Sequence, residues 1–221
     1  MSSLDYIFTN FLTMGALVKE TDLDKGLLVQ MMDEGCLPGP AYTVGMKAEI
    51  NSIFGVHDEC HKDDYYPQSH IQKAKAIAKE GLPLTKQAET LKKAFFATYQ
   101  RLLQDACAQD FDLGHLFKEG GEVGGLAAER FLDEEWTHYL KGTYGLCTRS
   151  ASFEDIATKE IMIAKIKHLV SFIENEPTPD LLNELKEATY QLDQVSAPFA
   201  PHEVARSSRG CWINEVRKKY L

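Results

Sequence analysis

Several things are missing from this chain, and each absence closes off a class of function. It has five cysteines, Cys36, Cys60, Cys107, Cys147 and Cys211, an odd number that is widely scattered and holds no CxxC pair. A disulfide framework is therefore not expected, and free thiols in a reducing compartment are. The opening Met-Ser-Ser-Leu-Asp-Tyr lacks the basic start and apolar run of a signal peptide, so a cytoplasmic location is the expectation. No window approaches ~18 unbroken apolar residues, so no membrane span is expected. Basic residues are too few for nucleic acid: 24 Lys and Arg stand against 33 Asp and Glu, a net charge of −9. Neutralising phosphates requires concentrated Lys and Arg.

What is present is a hydrophobic content of 44%, sufficient for a core in a chain of 221 residues. Apolar residues recur at helical spacing through most of it. Leu4, Tyr6, Ile7, Phe8, Phe11 and Leu12 open the chain as a short helix. Thr13 caps a second, and Asp22 or Asp24 caps a third that carries Leu27, Leu28, Met31 and Met32 on one stripe. Gly35 and Leu37-Pro-Gly-Pro40 stop it. Residues 41–66 are the least regular, with a short extended piece at Ala41–Val44 and a polar, aromatic run from Phe54 to Pro67. Helices resume at Gln68–Glu80, Thr85–Ala108, Leu126–Leu140, Phe153–Asn175, Asp180–Val195 and about Ser208–Tyr220. The glycine-rich stretch Phe111–Gly125 has no Gly-Lys-Ser/Thr after it and no strand before it, so it reads as a loop and not a phosphate cradle. With no convincing period-two alternation, the expected fold is all-α. A helix-turn-helix-like module spans 1–45, a His/Cys-containing connector and helix 46–83, and a helical bundle 84–221.

Three constellations carry chemistry. His57-x-x-Cys60-His61, beside Asp58, Glu59, Asp63, Asp64 and later His70, is densest in ligand types. On a helix His57 and His61 share a face, and imidazole with thiolate suits zinc or a similar divalent metal. The bland alternative is a solvated acidic loop with surface histidines. Trp136–Arg149 joins a helix end to a glycine-bordered turn. There Cys147 is a candidate nucleophile if His138 or His202 approaches it, with Trp136 and Arg149 lining the site. The competing assignment is a small buried thiol in a turn that glycine permits.

The third constellation follows two prolines. Pro198 and Pro201 force an extended path, after which His202 and Glu203 enter the first turn of a new helix as a candidate acid/base pair. Arg206 and Arg209, three apart, can fork onto a carboxylate or phosphate, while Ser207 and Ser208 cap a helix or add hydroxyl donors. From Ala200 to Leu221, Arg206, Arg209, Arg217, Lys218 and Lys219 face Glu203 and Glu215, a local +3 that suits a small anion or an acidic partner surface. The structural alternative is that the arginines tie the tail to acidic helices and Pro198-Phe199 locks it to the core.

Two resemblances follow from these residues. Residues 13–40, with an early helix, a Thr-x-Leu turn, a second helix and a Gly-x-Leu-Pro exit, resemble the N-terminal helix-turn-helix of MerR-type regulators. The would-be reading helix offers Lys25, Gln30, Asp33 and Glu34 and no arginine, which argues against base readout. Gly142-Thr-Tyr-Gly-Leu-Cys-Thr148, with Leu192-Asp-x-x-Ser-Ala-Pro-Phe-Ala-Pro-His-Glu203 and Ser207-Ser-Arg209, is similar to an uncharacterised bacterial family sometimes labelled natural-product biosynthesis protein. That resemblance implies a bacterial cytoplasmic protein and transfers no site. The leading expectation is a site for a small anionic metabolite lined by Trp136, His138, Cys147, His202, Glu203, Arg206 and Arg209. The second is an interaction or regulatory protein whose N-terminal module meets a protein partner, and DNA regulation is third.

Overall fold

The first helix begins on a reciprocal cap. Ser2 Oγ accepts from the Asp5 N–H and the Asp5 carboxylate accepts from the Ser2 N–H, starting α1 (Ser3–Asn10). The computed structural model describes residues 1–221. A short strand β1 (Phe11–Thr13) leads directly into α2 (Met14–Thr21), which Thr13 caps, and Asp24 caps α3 (Lys25–Asp33). After a long hairpin, β2 (Tyr42–Ser52) and β3 (Gly55–Pro67), come α4 (His70–Glu80), α5 (Leu84–Asp105), α6 (Leu126–Leu140), the short α7 (Thr143–Cys147), α8 (Phe153–Ile173), α9 (Pro179–Val195) and α10 (Glu215–Tyr220).

Three strands correct the all-α expectation, making the fold a helical body with one antiparallel sheet in the order β1-β3-β2. β1 pairs only with the base of β3, Phe11 opposite Pro67 and Thr13 opposite Tyr65. β2 and β3 pair without interruption from Tyr42 opposite Tyr65 to Ser52 opposite Gly55. Period two is in fact present in β2, as Val44, Met46, Ala48 and Ile50. It is absent from β3, where Asp, Glu, His and Lys follow one another. The physical reason is exposure. Val44 and Tyr65 are buried at the base, but from Gly45 to Asp64 the hairpin leaves the body and nearly every residue is exposed. No core then enforces an apolar face on β3.

The hairpin also removes the premise for a metal pair. His57, Cys60 and His61 lie on a strand, where successive side chains alternate, so Cys60 faces away from both histidines. His57 and His61 share a face but stand about 13 Å apart along it, four residues at ~3.3 Å each. No group of three or more His, Cys, Asp or Glu side chains comes together as a metal cage. His61 instead pairs with Glu59 at 2.9 Å.

The body contains two main cores. The larger is built by α5, α6, α8 and α9 around Phe95, Leu132, Ile156, Ile166 and Leu192. α8 is apolar on most sides and packs against both α5 and α9, as an interior helix must. The smaller joins α2, α3 and α4 through Leu17, Leu28, Met31 and Ala74, and Leu91 of α5 touches both.

The two cores meet where backbone approaches backbone. Gly142 has φ +82°, and a Cβ there would drive into the carbonyls of Gly39 and Pro40. A Cβ on Gly145 would overlap the ring of Pro67. Gly39 N–H bonds to Leu140 O at 2.8 Å across the same junction. Substituting Gly145→Ala is expected to destabilise the protein by about 1–3 kcal/mol through overpacking. Urea denaturation reads this, and an unchanged midpoint would show that the junction has slack.

Candidate functional site

The turn after α6 and the proline-braced tail do meet, through main chain. Ala197 N–H donates to Cys147 O at 3.2 Å, Arg149 N–H to Val195 O at 2.9 Å, and Thr148 bridges Ser196 in antiparallel fashion. The side chains expected to converge there take separate paths. Cys147 is buried, and burial first of all pushes its thiol up to about 11, so it is protonated. His138 and His202 are exposed and neither bonds to it. The His202 ring instead meets Ser3 Oγ at 2.8 Å. Trp136 is core, 5.0 Å from Tyr139 and 5.4 Å from Phe95 between ring centroids.

Arg209 is a clamp on the tail. Its Nε donates to Ala197 O at 2.8 Å, and its Nη2 to Ser196 O at 3.1 Å and to Asp193 Oδ1 at 2.6 Å. Arg217 reaches the same carboxylate at 2.8 Å, and Arg149 bonds the Asp193 carbonyl at 3.2 Å. Burial works to raise the Asp193 pKa, but the Arg209 and Arg217 hydrogen bonds outweigh it and hold the carboxyl below its ordinary value. Glu203 accepts from Tyr42 O–H at 2.7 Å and from Ala200 N–H at 3.3 Å, tying the tail to the foot of β2. Ser207 caps the last turns, donating to Val204 O and accepting from Gly210 N–H. Ser208 Oγ is buried without a partner. Only Glu203, Arg206 and Ser207 share an open hollow, with Leu146 and Phe199.

A more enclosed arrangement lies on the Thr148–Ser152 loop. On one side is a polar cleft of about 200 Å³ lined by Tyr6, Asn10, Gln68, Ser69, Thr148 and Arg149 among others. Ser69 Oγ is buried beside it with no hydrogen-bond partner. On the other side is an apolar pocket of about 290 Å³ lined by Cys36, Ile77, Leu91, Tyr139 and Phe153, with Lys73 as its cation. Ala151 lies in both walls and adopts φ +52°, a left-handed conformation costing an ordinary residue ~1–2 kcal/mol. Two bonds hold it there: Ala151 N–H to Thr148 Oγ1 at 3.0 Å, and Lys73 Nζ to Ala151 O at 2.6 Å.

Lys73 is partly buried, with its ammonium 5.1 Å from the centroid of the Tyr139 ring and no carboxylate partner. Burial pulls its pKa down to about 8. The neighbouring His70 is buried and neutral. Its Nε2 bonds Pro38 O at 2.9 Å, and burial brings its pKa down to about 4. Sequence reasoning passed over Lys73. The signal was its place on α4, three residues after His70 and four before Ile77, on the stripe that faces the core.

A satisfied polar network occupies the bundle nearby. Tyr99 donates to the Glu135 carboxylate at 3.2 Å, Tyr144 donates to the same oxygen, and Lys159 pairs with Glu160 at 2.5 Å. It links α5, α6 and α7 by bringing two phenols onto one Glu135 oxygen, and none of its residues lines either cavity at the Thr148–Ser152 loop.

A family model described as a family of unknown function (DUF6058) matches residues 91–221, more than half of the chain. The chain belongs to this family. No curated protein and no solved structure matches it. The DUF6058 span contains the Cys147–Ala197 seam, Arg209 and the Tyr139, Ala151 and Phe153 walls of the pocket, while Lys73 and the hairpin precede it.

No helix is long and apolar enough to cross a membrane. Because Arg209 holds two carbonyls and a carboxylate with one planar fork, Arg209→Lys should cost about 2 kcal/mol. Arg206→Ala, at an exposed side chain with no ion partner, should cost less than ~0.5 kcal/mol. Equal denaturation midpoints for the two variants would refute the clamp.

Proposed function

We propose that this protein binds a small organic anion with an apolar body in the pocket around Lys73. The observation that carries this is an ammonium in a largely apolar wall that bonds one carbonyl, stands beside one aromatic face and makes no ion pair, although Glu154 also lines the pocket. An ammonium has three N–H donors, and the fold uses one of them in a hydrogen bond. A ligand carboxylate supplies the missing countercharge, while Ile77, Leu91 and Phe153 take its apolar part. A volume near 290 Å³ lies at the small end of ligand pockets. The polar cleft with the unpartnered Ser69 hydroxyl is a separate cavity that shares only the Ala151 wall with this pocket.

The anion expected from the sequence is kept; its cation is reassigned from Arg206 and Arg209, since Arg209 is engaged by the fold and Arg206 faces solvent. A carboxylate-bearing intermediate of natural-product metabolism, the setting implied by the resemblance, is a ligand of this class. Five free thiols support a reducing compartment such as the cytoplasm. The acidic excess of residues 1–45, with Asp5, Glu20, Asp22, Asp24, Asp33 and Glu34 against Lys19 and Lys25, opposes a DNA-reading role for the α2–α3 pair.

Calorimetry with hexanoate, octanoate, decanoate and phenylacetate, each beside its alcohol, tests the proposal. The acids should bind and the alcohols should not. Lys73→Met keeps the volume and removes the charge, so it should fold normally and lose the acids' affinity. Only protonated Lys73 attracts an anion, so affinity should be level between pH ~6, where the acids are ionised, and ~7, and fall by up to about tenfold per pH unit above about 8. Alcohols that bind as well as acids, or a Lys73→Met protein that keeps its affinity, would sink it.

A further inference from the structure

β2 is hydrogen-bonded on one edge only. The sheet order places β3 on one side of it and nothing on the other. Eleven residues long, it contains no proline, and its pairing with β3 runs residue for residue without a bulge, so of the usual devices that blunt an edge it carries only charge, Lys47 and Glu49. It is also apolar for a solvated strand. Met46 is 37% exposed and Ile50 48%, and at the tip Ile53 and Phe54 are each 94% exposed. A two-stranded ribbon standing alone in water is marginally stable, so this one calls for a neighbour.

Its own sequence describes that neighbour. Counting outward from Ala48, Lys47 mirrors Glu49, Met46 mirrors Ile50, and Gly45 mirrors Asn51. An antiparallel strand with the same sequence, related by a twofold axis through Ala48, therefore sets Lys47 opposite Glu49 twice on one face. On the other face it sets Met46 opposite Ile50 twice, with the two alanines between them. Moving the axis to Lys47 or Glu49 opposes like charges, so the charges select one register. The outer edge of β3 offers no such match, because Asp58, Glu59, Asp63 and Asp64 crowd it with one sign. In the Ala48 register the exposed Ile53 comes level with Thr43 of the second copy, at the foot of its arm. The apolar tip then leaves open solvent.

We propose that the chain forms a twofold-symmetric dimer by pairing β2 with β2 of a second copy, joining two three-stranded sheets into one of six strands. The partner is fixed by self-complementarity of charge and apolar pattern along the strand. The proposal is independent of the Lys73 pocket, which lies in the body.

Sedimentation or light scattering on the full chain, with four variants, tests it. The wild type should be a dimer at micromolar concentration. Lys47→Glu and Glu49→Lys should each raise the dimer dissociation constant about tenfold or more, since two symmetry-related contacts change sign together. The double variant Lys47→Glu/Glu49→Lys should recover the wild-type constant, because the exchange restores opposite charges across the axis. Lys25→Glu, a charge reversal in the body, should leave it unchanged. Circular dichroism should be the same throughout, as residues 47 and 49 touch neither core. A wild type that stays monomeric up to about 100 μM overturns the proposal. So does a dimer indifferent to both single reversals, or a double variant as weak as the singles.

Discussion

Backbone-to-backbone contact at the turn between α6 and α8 is the constraint on which the rest of this structure depends. Gly142 and Gly145 have no Cβ, so the turn can lie directly on Gly39–Pro40 and on Pro67. Its far side is bonded like a strand to Val195–Ala197. Arg209 and Asp193 hold that tail segment in place. A side chain at either glycine would part the two cores. Losing the clamp would leave the carbonyls of the buried Ser196 and Ala197 without donors, which costs more than the bonds themselves contribute. The Thr148–Ser152 loop leaves this seam and inherits its rigidity, so the pocket wall is positioned by main chain and not by flexible side chains.

Several breaks of local rules coincide around the Thr148–Ser152 loop, although others, such as the left-handed Phe199 and the unpartnered Ser208 hydroxyl, lie elsewhere. The fold brings together a non-glycine left-handed backbone at Ala151, a desolvated lysine with no ion-pair partner at Lys73, a buried unpartnered hydroxyl at Ser69 and a histidine kept neutral at His70. Each costs stability by itself. By contrast the Glu135, Tyr99 and Tyr144 group is as buried and as ionisable, yet its donors and acceptors match. Matched networks specify packing, while unmatched groups around a cavity are where a ligand has something to complete.

The helices were legible because each is driven by an apolar stripe and stopped by a cap, and both signals are local. Thr13, Asp24, Ser152 and Thr178 all accept the hydrogen bonds their positions imply. The hairpin was not legible, because a strand solvated on both faces has no core to impose alternation on Asp58–Asp64. Its turn is also Ile53-Phe54, where Asn-Gly or Asp-Gly would have announced it. Arg209 was marked as a fork for a ligand, but the acceptors it meets in the fold come from Asp193, Ser196 and Ala197, a pairing that only the folded tail creates. Cys147 sits beside the tail as expected, yet no spacing reports that a thiol is buried away from every histidine. Lys73 was visible as a charge on a buried stripe, a signal that weighs more than the density of His57–His61 suggested.

The pocket belongs to neither core alone. Lys73, Cys36 and Ile77 come from the smaller core and its surroundings, and Tyr139, Ala151 and Phe153 from the larger. Junctions of this kind are favoured positions for ligands, because their walls are held by two independent packings and their interior belongs to neither. The DUF6058 match begins in α5 and takes in only the larger core's wall. The amine therefore stands on the part of the chain outside the match, facing a loop inside it. A ligand held by that amine and that loop contacts both cores at once, so its binding energy bears directly on how firmly they stay together.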